Sequence, residues 1–203
     1  MFKKFFSAVV FSCLLFFGVN VCSAGTFQLI HNAEHFSENL KSDEATDESF
    51  NTNDGKIRLQ FRKLKNASSE KKLHGLVWLE KDRIYDEHFP DVIYGYTFRA
   101  IKNTADSKMF FVIQSIERAI LLGYSPSSKK FEVYIDSKNY YKENSNSWPI
   151  IIPNTNGDLI LAFENPSGTV SARYIFTWDN SRQWFAYSNL GTYNYSINKD
   201  RQK

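Results

Sequence analysis

Apolar and polar residues alternate along much of the chain after residue 55. In segment 170–178 every second residue is apolar, namely Val170, Ala172, Tyr174, Phe176 and Trp178. Alternation over roughly 4–8 residues predicts a β-strand with one buried face. The same pattern recurs in segments 57–62, 94–101 and 131–136. Segment 109–113 is apolar at every position, which is typical of a central strand that is covered on both faces.

These segments predict an antiparallel all-β fold, either a single β-sandwich or an open barrel of about ten strands. The composition favours the same class, because the 18 Phe and 11 Tyr residues suit the half-buried surface of a pleated sheet. We expect the β-domain to cover residues 55–197. A short helical or flexible N-terminal arm is expected before it, and a charged tail, 198–203, is expected to fray after it.

The predicted arm, residues 25–54, differs from the rest in charge. It carries seven acidic residues and one basic residue. Four apolar residues have a spacing that could line one side of a short helix: Leu29, Ile30, Phe36 and Leu40. Segment 42–49 is polar and acidic without an apolar period, which is typical of a linker or mobile loop.

Two further patterns leave alternatives open. Three apolar residues within 114–122 have helical spacing, so a helix there is the alternative to a strand: Ile116, Ala119 and Ile120. Segment 51–61 also resembles 154–163, since each places an Asn- and Gly-containing turn before an apolar strand, and a tryptophan follows each copy. The resemblance fits either a duplicated β-meander or the common reuse of Asn-Gly turns in β-proteins.

The first 24 residues have the organisation of a bacterial secretory signal peptide. Lys3 and Lys4 precede an apolar run over residues 5–19, and small residues follow up to Ala24. The run is shorter than the roughly 20 apolar residues that a membrane-spanning helix needs, so we expect a cleaved leader and a periplasmic or extracellular protein without a membrane span. A lipid anchor on Cys22 is the main alternative.

Removal of the leader changes both the cysteine count and the charge. The chain's two cysteines, Cys13 and Cys22, lie in the leader, so residues 25–203 offer no thiol nucleophile, Cys-based zinc site or iron–sulfur cluster. Without Lys3 and Lys4 the formal net charge falls from +3 to +1. We therefore expect no nucleic-acid partner. A basic stretch, 56–72, leaves open a local patch for a polyanionic envelope polymer.

The sequence contains no Gly-x-Ser-x-Gly, P-loop or Gly-x-Gly-x-x-Gly motif. His31 and His35 would share a helix face, but the intervening residues do not match a zinc hydrolase, so we predict no metal and no cofactor. Carboxylate-based hydrolysis needs two opposed acids, and four candidates lie on or beside predicted strands: Glu117, Glu132, Asp136 and Glu164. Enzymatic activity is left open, with a non-catalytic protein favoured.

Exposed aromatic side chains are the best candidates for a binding site. Tyr140, Tyr141 and Trp148 lie in or beside a polar loop, and Trp184 follows a predicted turn. Aromatic rings with polar neighbours suit sugar faces and extended peptides. The sequence thus favours a cell-envelope or extracellular binding module for a glycan or peptide. The alternatives are an assembly partner that pairs through a sheet edge, and a carboxylate-based hydrolase.

Overall fold

The computed structural model describes residues 26–36, 45–63, 73–89, 95–140, 142, 146–154 and 156–189. It confirms the antiparallel all-β class, with thirteen strands and one short 3₁₀ helix, Ser137–Asn139, among these residues. The strands are β1 (Phe27–Phe36), β2 (Ala45–Thr52), β3 (Gly55–Lys63), β4 (Leu73–Leu79), β5 (Asp82–Phe89), β6 (Gly95–Asn103), β7 (Met109–Gln114), β8 (Ala119–Ser125), β9 (Lys130–Asp136), β10 (Trp148–Pro153), β11 (Leu159–Glu164), β12 (Val170–Asp179) and β13 (Trp184–Asn189).

The strands form three antiparallel sheets. Sheet A has the order β1-β6-β7-β8-β9, sheet B the order β2-β3-β4-β5, and sheet C the order β10-β11-β12-β13. After β1 the chain therefore builds three consecutive four-stranded meanders. Such nearest-neighbour connections are the shortest way to join antiparallel strands.

Sheet A is the middle layer of the sandwich. On β7, Phe110 and Val112 belong to the core that sheet A shares with sheet C, whereas Phe111 and Ile113 belong to the core shared with sheet B. Successive side chains of a strand point to opposite faces, so an apolar residue at every position is what a strand between two layers requires. This explains why residues 109–113 show no alternation and confirms their central position.

Two segments of the predicted N-terminal arm are strands. Phe27–Phe36 is β1 at the edge of sheet A, and Ala45–Thr52 is β2 at the edge of sheet B. The helical interpretation of 29–36 is therefore wrong. In β2 the alternation of apolar and polar residues is hidden because a charged residue, Glu48, points inward to His31 of β1, with an Oε1–Nε2 distance of 3.6 Å. In β1 it is hidden because the strand register shifts between Leu29 and His31. Residues 37–44 lie outside the described residues.

The helix considered for residues 114–122 is also absent from the structure. Gln114 ends β7 and Ala119 begins β8. Between these strands the Ser115 amide donates a hydrogen bond of 2.7 Å to the Arg118 carbonyl, which closes a hairpin turn. The three apolar residues had helical spacing because Ile116 lies in the turn whereas Ala119 and Ile120 begin the next strand.

The two similar sequence segments occupy matching places. Residues 57–61 lie in β3 and residues 159–163 in β11, and each of these is the second strand of its meander. The tryptophans that follow do not match. Trp78 lies on the outer face of sheet B, with the Arg58 guanidinium 5.2 Å from its ring centre, whereas Trp178 is buried in the core between sheets A and C.

The strand connections fall at two opposite ends of the sandwich. We call one the tight-turn end, and its connections have two to five residues: 53–54, 80–81, 104–108, 126–129, 154–158 and 180–183. Hydrogen bonds between sheets fix this end. The Asn53 side chain donates to the Asp106 carbonyl at 2.9 Å, and the Phe27 amide donates to the Gly157 carbonyl at 2.6 Å.

The strands that flank the remaining connections have their ends at the other end of the sandwich, which we call the long-loop end. These connections are 37–44, 64–72, 90–94, 115–118, 137–147 and 165–169, of which the structure describes 115–118 and 165–169 in full and 137–147 in part. The three longest connections of the sandwich are among them. A rigid β-frame that carries its longer connections at one end is a common way to build a binding surface. Within the described ranges, no helix has the length and apolar character needed to cross a bilayer.

Candidate binding cleft

A cleft of about 1060 Å³ opens at the long-loop end, between sheets A and C. Its walls come from four places in the chain: the β7–β8 turn, the segment after β9, the start of β10 and the β11–β12 turn. The apolar part of the lining consists of Ile116, Tyr140, Trp148, Phe163 and Pro166. The polar part consists of Glu117, Ser137, Lys138, Lys142 and Asn146.

Trp148 presents an accessible aromatic ring to the cleft. It is the first residue of β10, where it pairs with Glu164 of β11, and it is 38% exposed. Further along the strand, Ile150 and Ile151 are buried and hold the backbone of β10 in the sandwich. The partly exposed indole is therefore attached to a strand whose backbone is held in the sandwich.

Tyr140 forms a firmer wall of the same cleft. Its ring centre lies 5.0 Å from that of Tyr174, 5.3 Å from Tyr187 and 5.5 Å from Phe176, all in edge-to-face arrangements. Burial, together with Tyr187 and Tyr174, raises the pKa of the Tyr140 phenol. The hydroxyl therefore stays protonated at neutral pH and can donate a hydrogen bond.

An ion pair supports the segment that carries Tyr140. The Arg118 guanidinium binds the Asp136 carboxylate through two hydrogen bonds, Nε–Oδ1 at 3.1 Å and Nη2–Oδ2 at 2.6 Å, and the Lys138 amide also donates to Oδ1 at 3.1 Å. Burial raises the pKa of Asp136, but these hydrogen bonds and the charge of Arg118 outweigh it and hold the pKa below its ordinary value. The pair thereby ties the β7–β8 turn to the 3₁₀ helix beneath the cleft.

The structure brings together two of the four predicted binding residues. Tyr140 and Trp148 line the cleft. Tyr141 lies outside the described residues. Trp184 is 52% exposed but does not line this cleft; it is the first residue of edge strand β13, 5.9 Å from the ring of Tyr134.

Sequence reasoning missed the apolar residues that complete the cleft. Ile116 lies in a turn and is 54% exposed, Phe163 is a core residue at its floor, and Pro166 lies in the β11–β12 turn. The only local signal was that Ile116 is a large apolar residue in an otherwise polar turn. Its nearness to Trp148 depends on the packing of sheet A against sheet C, which no local pattern encodes.

Of the four acids considered for hydrolysis, one lines the cleft. Glu117 lines the cleft, while Asp136 is engaged by Arg118. Glu132 lies on β9 and Glu164 ends β11, and neither is among the described residues that line the cleft. The described lining thus offers one carboxylate, where glycoside hydrolysis uses a facing pair.

The histidine pair considered for zinc is not on a helix. His31 and His35 lie on β1, where positions four apart are separated by roughly 13 Å of extended chain. The His31 ring packs between the rings of Phe50 and Phe98 at 5.6 and 5.7 Å. Among the residues that the structure describes, no three His, Cys, Asp or Glu side chains are grouped to hold a metal ion.

The basic stretch 56–72 is described only up to Lys63. Within it, the Arg58 guanidinium is bound by both carboxylate oxygens of Asp47 and lies over Trp78. Arg62 donates a hydrogen bond of 2.9 Å to Gln60. These two arginines are therefore engaged within sheet B.

The chain matches no known protein-family model, no curated protein and no solved structure.

Proposed function

We propose that this chain is an exported, non-catalytic binding protein of the bacterial cell envelope or extracellular space, and that the cleft between sheets A and C holds a glycan or peptide. The observation that carries the proposal is that Tyr140, which follows the 3₁₀ helix, and Trp148, the first residue of β10, line one cleft together with polar side chains. Concave sites with aromatic walls and a few polar groups are typical of small-ligand binding.

The chemistry of the lining favours a sugar over a purely apolar ligand. The indole of Trp148 offers a flat surface for the apolar face of a pyranose ring. Around it, Lys138, Lys142 and Asn146 are exposed and supply hydrogen-bond donors for hydroxyl groups. Because Tyr140 is fixed by its aromatic neighbours, the cleft loses little side-chain entropy when a ligand binds.

Export is supported by the leader pattern of residues 1–24. A sandwich with two apolar cores supplies stability without disulfides. The ligand pool that this location implies consists of envelope glycans and extracellular peptides.

The proposal is tested with the protein purified after export, by following tryptophan fluorescence and calorimetric heat during titration with envelope glycan fragments and with peptides. We expect Trp148→Ala to weaken binding about tenfold or more, which corresponds to about 1.4 kcal/mol. Trp184→Ala is the matched control, because it removes an exposed indole outside the cleft and should change affinity less than about twofold. Equal effects of the two substitutions, or no binding of either ligand class, would contradict the proposal.

A second candidate function is assembly through strand β13. This six-residue strand lies at the edge of sheet C and carries no charge or proline, while Trp184 and Tyr187 are 52% and 58% exposed. Natural sheets usually protect such edges with charges, prolines or bulges. If β13 pairs with a second copy of this chain, sedimentation should show self-association that Ala186→Lys abolishes; a monomer at all concentrations would exclude it.

A further inference from the structure

Arg99 is a buried cation with too few partners. It lies on β6 and is 7% exposed, and its Nη1 donates a hydrogen bond of 2.5 Å to Oε1 of Gln114. Its Nε is buried without a hydrogen-bond partner, and no carboxylate of the described residues forms an ion pair with it. Burial lowers the pKa of Arg99 to about 10, against a smaller opposing effect of Glu34, so the side chain is charged at neutral pH.

The strand register shows which residues surround this guanidinium. Arg99 is opposite Asn32 of edge strand β1 and Val112 of β7, and Gln114 is opposite Thr97. These cross-strand neighbours share one face of sheet A. Asn32 and Glu34 are exposed, so the strand beside Arg99 is in contact with solvent.

The other described buried cation shows what Arg99 lacks. Lys108 is 8% exposed, but its ammonium donates a hydrogen bond to Gln183 and lies over the rings of Trp178 and Tyr134. Buried charges in proteins are normally paired or otherwise compensated in this way, because an isolated charge is costly to remove from water. Arg99 has one neutral amide for the same purpose.

We propose that Arg99 is a binding site for a carboxylate ligand, which accepts hydrogen bonds from Nε and Nη2 while Gln114 holds Nη1 in place. The Nε–Nη2 edge of a guanidinium is a planar fork that matches the two oxygens of a carboxylate. The ligand supplies the ion-pair partner that no carboxylate of the described residues provides. This site lies outside the cleft and does not depend on the proposed function.

The surroundings favour a carboxylate over a phosphate. Glu34 lies on the neighbouring strand and contributes negative charge at Arg99, which disfavours a dianion more than a monoanion. The Gln114 amide nitrogen can add one donor to a carboxylate oxygen. A carboxylate on a sugar, a peptide terminus or a small metabolite presents this same chemistry.

The test uses ¹⁵N-labelled protein and follows the arginine Nε–H resonances during titration with sodium acetate, sodium phosphate and sodium chloride at constant ionic strength. We expect acetate to shift one resonance, with half-saturation at about 1 mM or below. Phosphate should act more weakly and chloride should have no effect. The shifted resonance should be missing in Arg99→Lys, which keeps the charge and removes the fork.

Arg58→Lys is the matched control, because Arg58 is already paired with Asp47 and its loss should leave the acetate response intact. If Arg99→Lys does not fold, the site is tested by titrating the wild-type protein and Gln114→Leu with acetate. Gln114→Leu should weaken the acetate response at least threefold. A resonance that acetate does not move, or an equal response to chloride, would overturn the site. A stronger response to phosphate would overturn the carboxylate assignment.

Discussion

The ammonium of Lys108 lies 4.9 Å from the centre of the Trp178 ring. The indole is itself held in place, because its Nε1 donates a hydrogen bond of 3.0 Å to the Asp106 carboxylate. Lys108 Nζ donates at 2.5 Å to Oε1 of Gln183 in the next sheet. One side chain therefore joins the β6–β7 turn of sheet A to the β12–β13 turn of sheet C.

Removal of the Lys108 side chain should loosen this junction. We expect Lys108→Ala to lower the free energy of unfolding by about 2 kcal/mol, since it loses the cation–π contact and the packing of the alkyl stem. Lys108→Met keeps the stem and removes a buried charge, so its loss should stay below about 1 kcal/mol. Urea denaturation at pH 7 measures the free energy of unfolding of both variants. An equal loss in Lys108→Ala and Lys108→Met would show that the charge, and not the alkyl stem, provides the stabilisation.

Gly123 is required by packing. A Cβ at this position in β8 would lie 3.0 Å from ring carbons of both Phe110 and Tyr134. We expect Gly123→Ala to cost about 1–3 kcal/mol, because two buried rings would have to move. Thermal unfolding followed by near-ultraviolet circular dichroism reports both the stability and the ring packing.

Gly168 is the control for that substitution. It has a φ of +78°, but the nearest atom to an added Cβ is the Glu164 carboxylate oxygen at 3.7 Å. Gly168→Ala should cost about 1 kcal/mol through backbone strain and leave the near-ultraviolet spectrum unchanged. A spectral change of the same size in both variants would contradict the packing argument.

The Arg118–Asp136 pair makes stability depend on pH. Because the pKa of Asp136 in the folded protein is below its ordinary value of about 3.9, its stabilisation is complete above that value and is lost as the pH falls through the folded pKa. Asp136→Asn should reduce the free energy of unfolding by about 1–3 kcal/mol at pH 7. The difference between the two proteins should shrink as the pH falls below about 3.9 and on through the folded pKa; a difference that stays constant through that fall would show that the carboxylate charge is not responsible.

The rate of backbone amide hydrogen exchange should be lowest in the middle sheet and higher at the edge of an outer sheet. The amides of β7 lie in the middle of sheet A with buried side chains on both faces, so they should exchange slowest. The edge strand β13 should exchange at least about tenfold faster, because it pairs with a single strand of sheet C and packs in a core through one face only, that of Phe185. Mass spectrometry of peptic peptides resolves the two segments. Protection of β13 equal to that of β7 would indicate that another chain covers this edge.

The sequence predicts those strands whose two faces differ, or whose faces are both apolar. Segment 170–178 is β12, with Tyr174, Phe176 and Trp178 in the core, and segment 109–113 is the central strand β7. In each case every position that a neighbouring layer buries carries an apolar residue, so the burial pattern can be read from the sequence. About ten strands were expected and the described residues form thirteen. Two of the additional strands, β1 and β2, lack a regular apolar pattern.

The cleft was only partly predictable for a different reason. Trp148 and Tyr140 could be chosen because an aromatic residue in a polar segment is unusual at any position. The floor, Phe163, resembles any other core residue in the sequence, and Trp184 resembles Trp148 although it lies elsewhere. The unpaired guanidinium of Arg99 had no sequence signal, since it appears as an ordinary polar residue in an alternating strand.

The separation of short and long connections has a consequence for protein engineering. The hydrogen bonds that tie the layers together at Asn53, Gly157 and Lys108 all lie at the tight-turn end. Foreign peptide segments grafted in place of the β11–β12 turn, residues 165–169, would leave those ties intact. The molecule is thus suited as a display scaffold, in which one end maintains the frame and the other can be diversified to select new specificities.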